Sequence, residues 1–290
     1  MFKLLHISDL HFGKYYLPKV GEALLEQAHG LQPDVIVISG DLTQRAKEQE
    51  FAAAREYLDK LPAVPLVVVP GNHDVPLYRV WERLTRPFGL YDRYIGGDRN
   101  SLWKDRRAVV VGLDSTAPHR AVKNGRISRD QLDFCEQALG DLPAETLRIV
   151  VFHHHLVPPP TFVPARPMPK AKRLLEMLTH LQVDLVLSGH LHRAYTGNSL
   201  DVYAGEEREH GIIVAQCGTT TSRRGRWREH EKNSFNWIQL TRGHVRITHY
   251  LYFSERHDFS PVAQHDFVRP GRERFGVAVD LDEAAHRQQR

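Results

Sequence analysis

Cysteine is scarce in this chain: 290 residues contain only Cys135 and Cys217. They lie too far apart for a zinc-ribbon or redox dithiol pattern and are too few for a secreted disulfide framework, so a reducing cytoplasm is the expected setting. Long apolar runs are missing as well. The run from Met1 to Ile7 stops at Ser8-Asp9, which leaves no room for a signal-peptide core, and no segment approaches the roughly 20 residues that span a bilayer. We therefore expect a soluble, unprocessed chain with no membrane insertion. Internal repeats, low-complexity tracts and lysine-rich stretches are also absent. A nuclease would need a long basic track, so nucleic acid is not the expected partner. The mild formal net charge of +4 favours a phosphate-bearing partner without requiring nucleic acid, the competing reading being a solvated basic surface.

What remains is ordinary globular material, 41% hydrophobic and 26% charged, enough for a core without covalent staples. Short apolar runs end in polar or glycine residues at Phe2 to Ile7, Val35 to Ile38, Leu66 to Val69, Ala108 to Leu113, Leu147 to Phe152 and Val183 to Leu187. Their length suits strands buried on both faces. Between them, Phe51, Ala54, Leu58 and Leu61 fall at helical spacing, as do Ala171, Leu174, Leu178 and Leu181. Another helix has a readable start, with Ser128 as N-cap, Gln131 closing a capping box, and Ile127 placed to staple against Leu132. This alternation predicts α/β layers. After Gly211 the texture changes to Ile212–Ala215 and a hairpin, Phe235–Leu240 with Val245–Phe253 about Arg242-Gly243, which predicts a second, more antiparallel sheet. We expect one main domain over residues 1–253 and a peripheral extension over 254–290, where charge and histidine rise and apolar periodicity fades. The proline-rich stretch from Pro158 to Pro169 reads as a stiff surface loop near a site wall.

Eighteen histidines are present, and the informative ones are clustered. Five groups sit where strands end: Asp9-Leu10-His11, Gly40-Asp41, Gly71-Asn72-His73-Asp74, His153-His154-His155 and Gly189-His190-Leu191-His192. In α/β sheets the loops at strand carboxyl ends form the ligand crevice. Carboxylate oxygen and imidazole nitrogen are what hard or borderline divalent cations prefer. Asp9 and His11, one residue apart, can turn towards the same cation, and His190 with His192 repeats the arrangement. Asp41 can bridge two cations roughly 3.5–4 Å apart, and Asn72 adds a neutral carbonyl oxygen. Glycines 40, 71 and 189 let these loops turn and approach. An imidazole beside the cations, His73, oriented by a carboxylate such as Asp74, can protonate a leaving alkoxide. Water acidified by the cations supplies a hydroxide for in-line attack on phosphorus.

The set resembles the calcineurin-like metallophosphoesterase superfamily, whose pattern is Asp-x-His, Gly-Asp, Gly-Asn-His-Asp/Glu, a strand-end histidine and Gly-His-x-His. The resemblance spans Asp9 to His192. It implies an α/β fold, a four-layer αββα sandwich of two mixed β-sheets flanked by helices. It also implies two divalent metal ions (Mn, Fe or Zn), one held by Asp9, His11 and His192, the other by Asn72, His153 and His190. Asp41 would bridge them and His73 would be the acid-type catalyst. The chain departs from the pattern in two places. Relatives carry His-His-Pro where this chain has three histidines and no immediate proline, so the ligand there is His153 or His154, and we expect His153 because it follows Phe152. The Gly-Asp motif continues as Leu42-Thr43, without the downstream acid of some relatives.

Length, Ser8-Asp9-Leu10-His11 and Asp114-Ser115 ahead of the Gly125–Leu132 helix start look most like the class III cyclic-nucleotide phosphodiesterase group. The expected activity is therefore hydrolysis of a small nucleotide-like phosphodiester such as 3',5'-cyclic AMP. Alternatives are a phosphomonoesterase, a nuclease, a nucleotide-lipid pyrophosphohydrolase or a non-catalytic scaffold. For substrate contact the candidates are Arg193, next to His192, and Arg223 in the segment Gly218 to Arg226, where hydroxyls and guanidinium groups suit phosphate oxygens. The competing reading of that segment is a solvated basic loop. Trp227 and Trp237 are candidates for stacking a base, against ordinary packing.

Overall fold

A computed structural model describes residues 1–119, 123–159, 166–203, 211–225 and 232–271. Twelve strands form two mixed six-stranded sheets. The first contains β1 (Phe2–Ile7), β2 (Val35–Ile38), β3 (Leu66–Val68), β10 (Ser234–Leu240), β11 (His244–Phe253) and β12 (Asp258–Val268), in the order β12-β11-β10-β1-β2-β3. The second contains β4 (Ser101–Lys104), β5 (Ala108–Gly112), β6 (Leu147–Val151), β7 (Leu185–Ser188), β8 (Tyr195–Asn198) and β9 (Ile213–Gln216), ordered β4-β5-β6-β7-β9-β8. Strands β1, β2 and β3 run parallel, as do β5, β6, β7 and β9. The antiparallel members are β10 to β12 in one sheet and the edge strands β4 and β8 in the other.

Alternation along each strand divides the apolar residues between three cores. Phe2 and Leu4 of β1, Val35 and Val37 of β2, and Leu147, Ile149 and Val151 of β6 meet between the sheets. Leu5, Ile7, Ile36 and Ile38 point the other way, against the helices α1 (Pro18–Leu31) and α2 (Glu48–Leu58). Val150, Phe152 and Val186 likewise face α5 (Arg129–Leu139) and α6 (Ala171–His180). Two short helices, α3 (Val80–Thr85) and α4 (Gly89–Tyr94), follow β3. The layers are helix, sheet, sheet, helix. The Ser128 capping box forms: Ser128 Oγ accepts from Gln131 N at 3.3 Å and Gln131 Oε1 accepts from Ser128 N at 2.8 Å. Among the described residues, no helix is long and apolar enough to cross a membrane.

Two differences from the sequence reading have physical causes. The α1 helix was not among the expected elements, although Pro18 in its first turn and buried Val20, Ala23, Leu24 and Ala28 give it the start and stripe of an amphipathic helix. The expected peripheral extension after residue 253 begins as an ordered edge strand. Residues Asp258–Val268 form β12, which pairs along the whole of β11, and Arg269 beyond it is buried. As an edge strand, β12 buries only Phe259 and leaves most of its residues exposed, so its apolar residues follow no strict alternation. Residues 272–290 lie outside the described residues, as do Pro160 in the proline-rich stretch, Arg226 and Trp227. Trp237 is buried with the core residues on the α1 and α2 side of the first sheet, as packing predicts.

Candidate metal centre

The carboxyl ends of β1, β2, β3, β6 and β7 meet at one rim of the sandwich, and short hydrogen bonds knit their loops together. Asp9 N donates to Gly40 O at 3.0 Å, Gly189 N to His153 O at 3.0 Å, His190 N to Asp9 Oδ2 at 3.0 Å and His73 N to Asp41 Oδ1 at 2.8 Å. Backbone strain is concentrated here. Asp9, His11, Asp41, His190 and His192 all have left-handed φ, between 51° and 74°, a region that costs side-chain-bearing residues free energy and persists where surroundings enforce it. Gly189 allows the closest crossing: a Cβ there would lie 2.0 Å from Ser8 Oγ and 2.6 Å from Asp9 Oδ2.

Two groups of donor atoms result, sharing Asp41. In the first, His192 Nε2 lies 3.1 Å from Asp9 Oδ1 and 3.2 Å from His11 Nε2, and His11 Nε2 lies 3.6 Å from Asp41 Oδ2. In the second, His153 Nε2 lies 3.4 Å from Asp41 Oδ2 and 3.2 Å from Asn72 Oδ1, while His190 Nδ1 lies 2.9 Å from Asn72 Oδ1. The outer nitrogens are spoken for. His11 Nδ1 faces Thr43 O at 3.3 Å, His153 Nδ1 faces Ser39 O at 2.8 Å and His192 Nδ1 faces Arg224 O at 2.7 Å. A carbonyl can only accept, so each ring carries its proton on Nδ1 and turns an Nε2 lone pair inward, the arrangement a metal-binding imidazole needs.

This donor set fits divalent cations. Asp9 Oδ1 and Asp41 Oδ2 are buried with no hydrogen-bond partner, which is costly for carboxylate oxygens unless something positive is meant to face them. Asp9, His11, Asp41 and His192 each present one atom within 4.8 Å of all the others. The charge balance agrees. Burial would raise the pKa of Asp9 and Asp41, yet the surrounding imidazoles hold both well below the usual carboxylate range. Burial lowers His11 to about 4. At His153 burial acts in the same sense, but the Asp41 and Asp9 carboxylates outweigh it and push the ring up to about 9, so without a cation Nε2 would hold a proton that a bound metal ion would displace.

The profile of the family described as calcineurin-like phosphoesterase matches residues 2–194, two-thirds of the chain and all five loops. This chain belongs to the calcineurin-like phosphoesterase family. Among curated relatives it is 32% identical over 182 residues to a probable cyclic nucleotide phosphodiesterase of Synechococcus sp., covering 60% of this chain and 64% of that protein. It is 30% identical over 193 residues to a probable glycerophosphodiester phosphodiesterase of Arcobacter nitrofigilis, covering 63% and 66%. It is 28% identical over 203 residues to the 3',5'-cyclic adenosine monophosphate phosphodiesterase of Haemophilus influenzae, covering 66% and 70%. The chain thus spans just under two-thirds of the length of the first two. Among solved structures, a dimetal phosphatase from Danio rerio superposes with a TM-score of 0.63 at 14% identity, over 92% of this chain and 99% of that one. A purple acid phosphatase of yellow lupin gives 0.64 at 12% identity, over 93% and 54%. Identities this low speak to the shared αββα fold alone.

Around this candidate centre several expected residues take other places. His73 is beside it, its ring centroid 5.0 Å from that of His11. Its ring is oriented by a backbone carbonyl and not by Asp74: Nδ1 donates to Gln44 O at 2.9 Å. Asp74 instead accepts from Thr43 N at 2.8 Å, Gly71 N at 2.9 Å and Leu42 N at 3.1 Å, and from Thr43 Oγ1 at 3.0 Å. Among the described residues no hydrogen bond joins it to the His73 ring. It ties the second loop to the third. His154 stays beside the site, its ring centroid 4.7 Å from that of His190, but its Nδ1 is engaged by Ser115 Oγ at 2.8 Å.

The basic segment also divides. Arg223 is exposed, whereas Arg224 comes near enough to help hold the His73 pKa below its ordinary value, after burial and against the pull of Asp41. Arg193 is half-buried beyond His192. Neither phosphate contact nor a solvated loop describes Thr219 to Ser222, which are fully buried. Thr219 Oγ1 donates to Asp9 O at 2.8 Å, Thr221 Oγ1 to Leu10 O at 3.0 Å, and Ser8 N to Thr220 Oγ1 at 3.0 Å. These hydroxyls hold the Asp9-Leu10-His11 loop in its strained shape. Their one sequence signal was an unbroken run of four small hydroxyl side chains beside a strand end.

Proposed function

We propose that this chain is a dinuclear-metal-dependent phosphodiesterase of small nucleotide-like diesters such as 3',5'-cyclic AMP. The observation that carries the reading is the pair of buried, unpartnered oxygens, Asp9 Oδ1 and Asp41 Oδ2, ringed by inward-facing imidazole nitrogens. Asp9, His11 and His192 would hold one divalent cation, Asn72, His153 and His190 the other, with Asp41 shared. When bound, such cations supply the positive charge that polarises phosphoryl oxygens and acidifies water at neutral pH.

The chain's own residues then divide the remaining work. His73, half-buried at the rim, lies where a leaving oxygen would depart, and a phosphate beside it favours its protonated form. Arg224, through its charge near His73, and Arg193 and Arg223, further out, meet the non-bridging oxygens of the substrate. The relatives' names support a diester and divide between cyclic nucleotides and glycerophosphodiesters.

Asp41→Ala or chelation is expected to reduce hydrolysis of bis(p-nitrophenyl) phosphate to background. Unaltered turnover after either treatment would overturn the reading. The substrate is decided by profiling the metal-reconstituted protein against cyclic nucleotides, glycerophosphodiesters and nucleotide diphosphate conjugates, with hydrolysis of 3',5'-cyclic AMP as the expected result.

A further inference from the structure

Four of the five most exposed large hydrophobic side chains among the described residues fall within seven residues directly after the Gly71–Asp74 loop: Tyr78 at 68%, Val80 at 52%, Trp81 at 79% and Leu84 at 53% exposure. A lone exposed leucine means little, but a cluster of this kind marks a contact surface. The segment is held in place at its start and its middle. Asp74 ties its start to Leu42 and Thr43. Arg79 ties its middle to the same neighbouring loop, donating to Ala46 O at 2.7 Å and Arg45 O at 3.2 Å while pairing with Glu82. The stretches 41–46 and 71–79 therefore run side by side from the metal centre outward.

Along this pair of stretches the metal centre and the aromatic cluster are close neighbours. His73 Nδ1 donates to the carbonyl of Gln44 at 2.9 Å. One residue further, a Cα step of about 3.8 Å, Arg45 lays its guanidinium over the Tyr78 ring, 4.2 Å from the centroid. That cation–π contact fixes one face of the ring, and the rest of it is open to solvent.

We propose that Tyr78, backed by Arg45 and followed three residues on by the exposed Trp81, is the base-stacking platform of the site, receiving the nucleobase of a nucleotide whose phosphate lies at the metal loops. Resting on the phosphodiesterase reading, this names the substrate arm that the outer surface selects. Every nucleobase has a π-face that gains from an aromatic neighbour, and a glycerol arm has none.

The test is calorimetric titration of the metal-loaded protein with adenosine 5'-monophosphate and with glycerol 3-phosphate. The wild type should bind the nucleotide about tenfold or more tightly, the scale of one base stacked on an aromatic side chain. Tyr78→Ala with Trp81→Ala should bring the ratio of the two affinities close to one, while Tyr78→Phe, which keeps the ring, should preserve it. Both residues are exposed, so the melting temperature of each variant should stay at the wild-type value. A wild type with no preference, or a ratio untouched by the double variant, overturns the platform; the latter is the outcome expected if the patch docks a macromolecule. Absence of diester hydrolysis would sink the phosphodiesterase reading separately, because the affinity ratio is read without turnover.

Discussion

His73 has one ring proton, and Gln44 O already receives it. Burial, and after it the Arg224 charge, disfavours a second proton on the ring, lowering its pKa against the opposing pull of Asp41. To act as an acid it must gain that proton on Nε2 from the environment a phosphate creates, so its contribution should depend on how badly the leaving group needs a proton. His73→Gln is expected to lower kcat on an alkyl diester by about 10²–10⁴-fold, the usual worth of a positioned acid. On bis(p-nitrophenyl) phosphate, whose phenolate leaves without one, the loss should be far smaller. Equal losses on both would reassign His73 to binding. At this scale the sequence named the right neighbourhood but not directions. Alternation along an extended strand predicts that one of His153 and His154 turns away, yet the chain bends after β6 and the His154 ring stays 4.7 Å from that of His190. For Arg223 and Arg224 no such alternation was available, because the segment is a loop.

Loops at strand ends are where motif and scaffold meet, and Asp74 is the fastener between two of them. Fully buried, it accepts from the backbone of Leu42, Thr43 and Gly71. Burial and the Asp41 charge push its pKa up to about 7, while those three backbone donors pull the other way. Asp74→Ala would strand three buried N–H groups, each costing about 1–3 kcal/mol. Destabilisation of at least about 3 kcal/mol should accompany loss of bound metal, read by thermal melting and elemental analysis. His73→Gln should change neither. A variant that keeps its melting temperature while losing activity would restore Asp74 to a catalytic role. The buried strands and the capped helix were legible because apolar runs, helical stripes and Ser128 with Gln131 are local signals. The support under the first loop was not, since Thr219 to Ser222 reach Asp9 and Leu10 across more than two hundred residues of sequence.

At the scale of the whole molecule, a buried arginine helps join the two sheets at the end opposite the candidate metal centre, where the more exposed Arg107 also reaches Asp34. Arg269, just past β12, inserts between the sheets' ends and pairs with Asp184 ahead of β7, Nε to Oδ1 at 2.7 Å and Nη2 to Oδ2 at 3.0 Å. It also donates to the carbonyls of Ala144, Glu145 and Thr146. Asp184 Oδ2 is in addition the acceptor for Arg148 N at 2.8 Å, which fixes β6 beside β7. Arg269 is the largest fully buried side chain among the described residues, and a composition rule that reads rising charge and histidine as a peripheral extension cannot see it. Breaking a buried pair from one side typically costs about 3–5 kcal/mol, because the remaining charge is left without a partner. Arg269→Ala should therefore lower the melting temperature by on the order of 10 °C. Arg269→Lys should fall between, since an ammonium keeps the charge but not the fork. Turnover per folded molecule should be unaffected, because β7 separates this pair from the loops at its far end. A melting temperature within a degree of wild type would show that β12 and Arg269 dock without stabilising the sandwich.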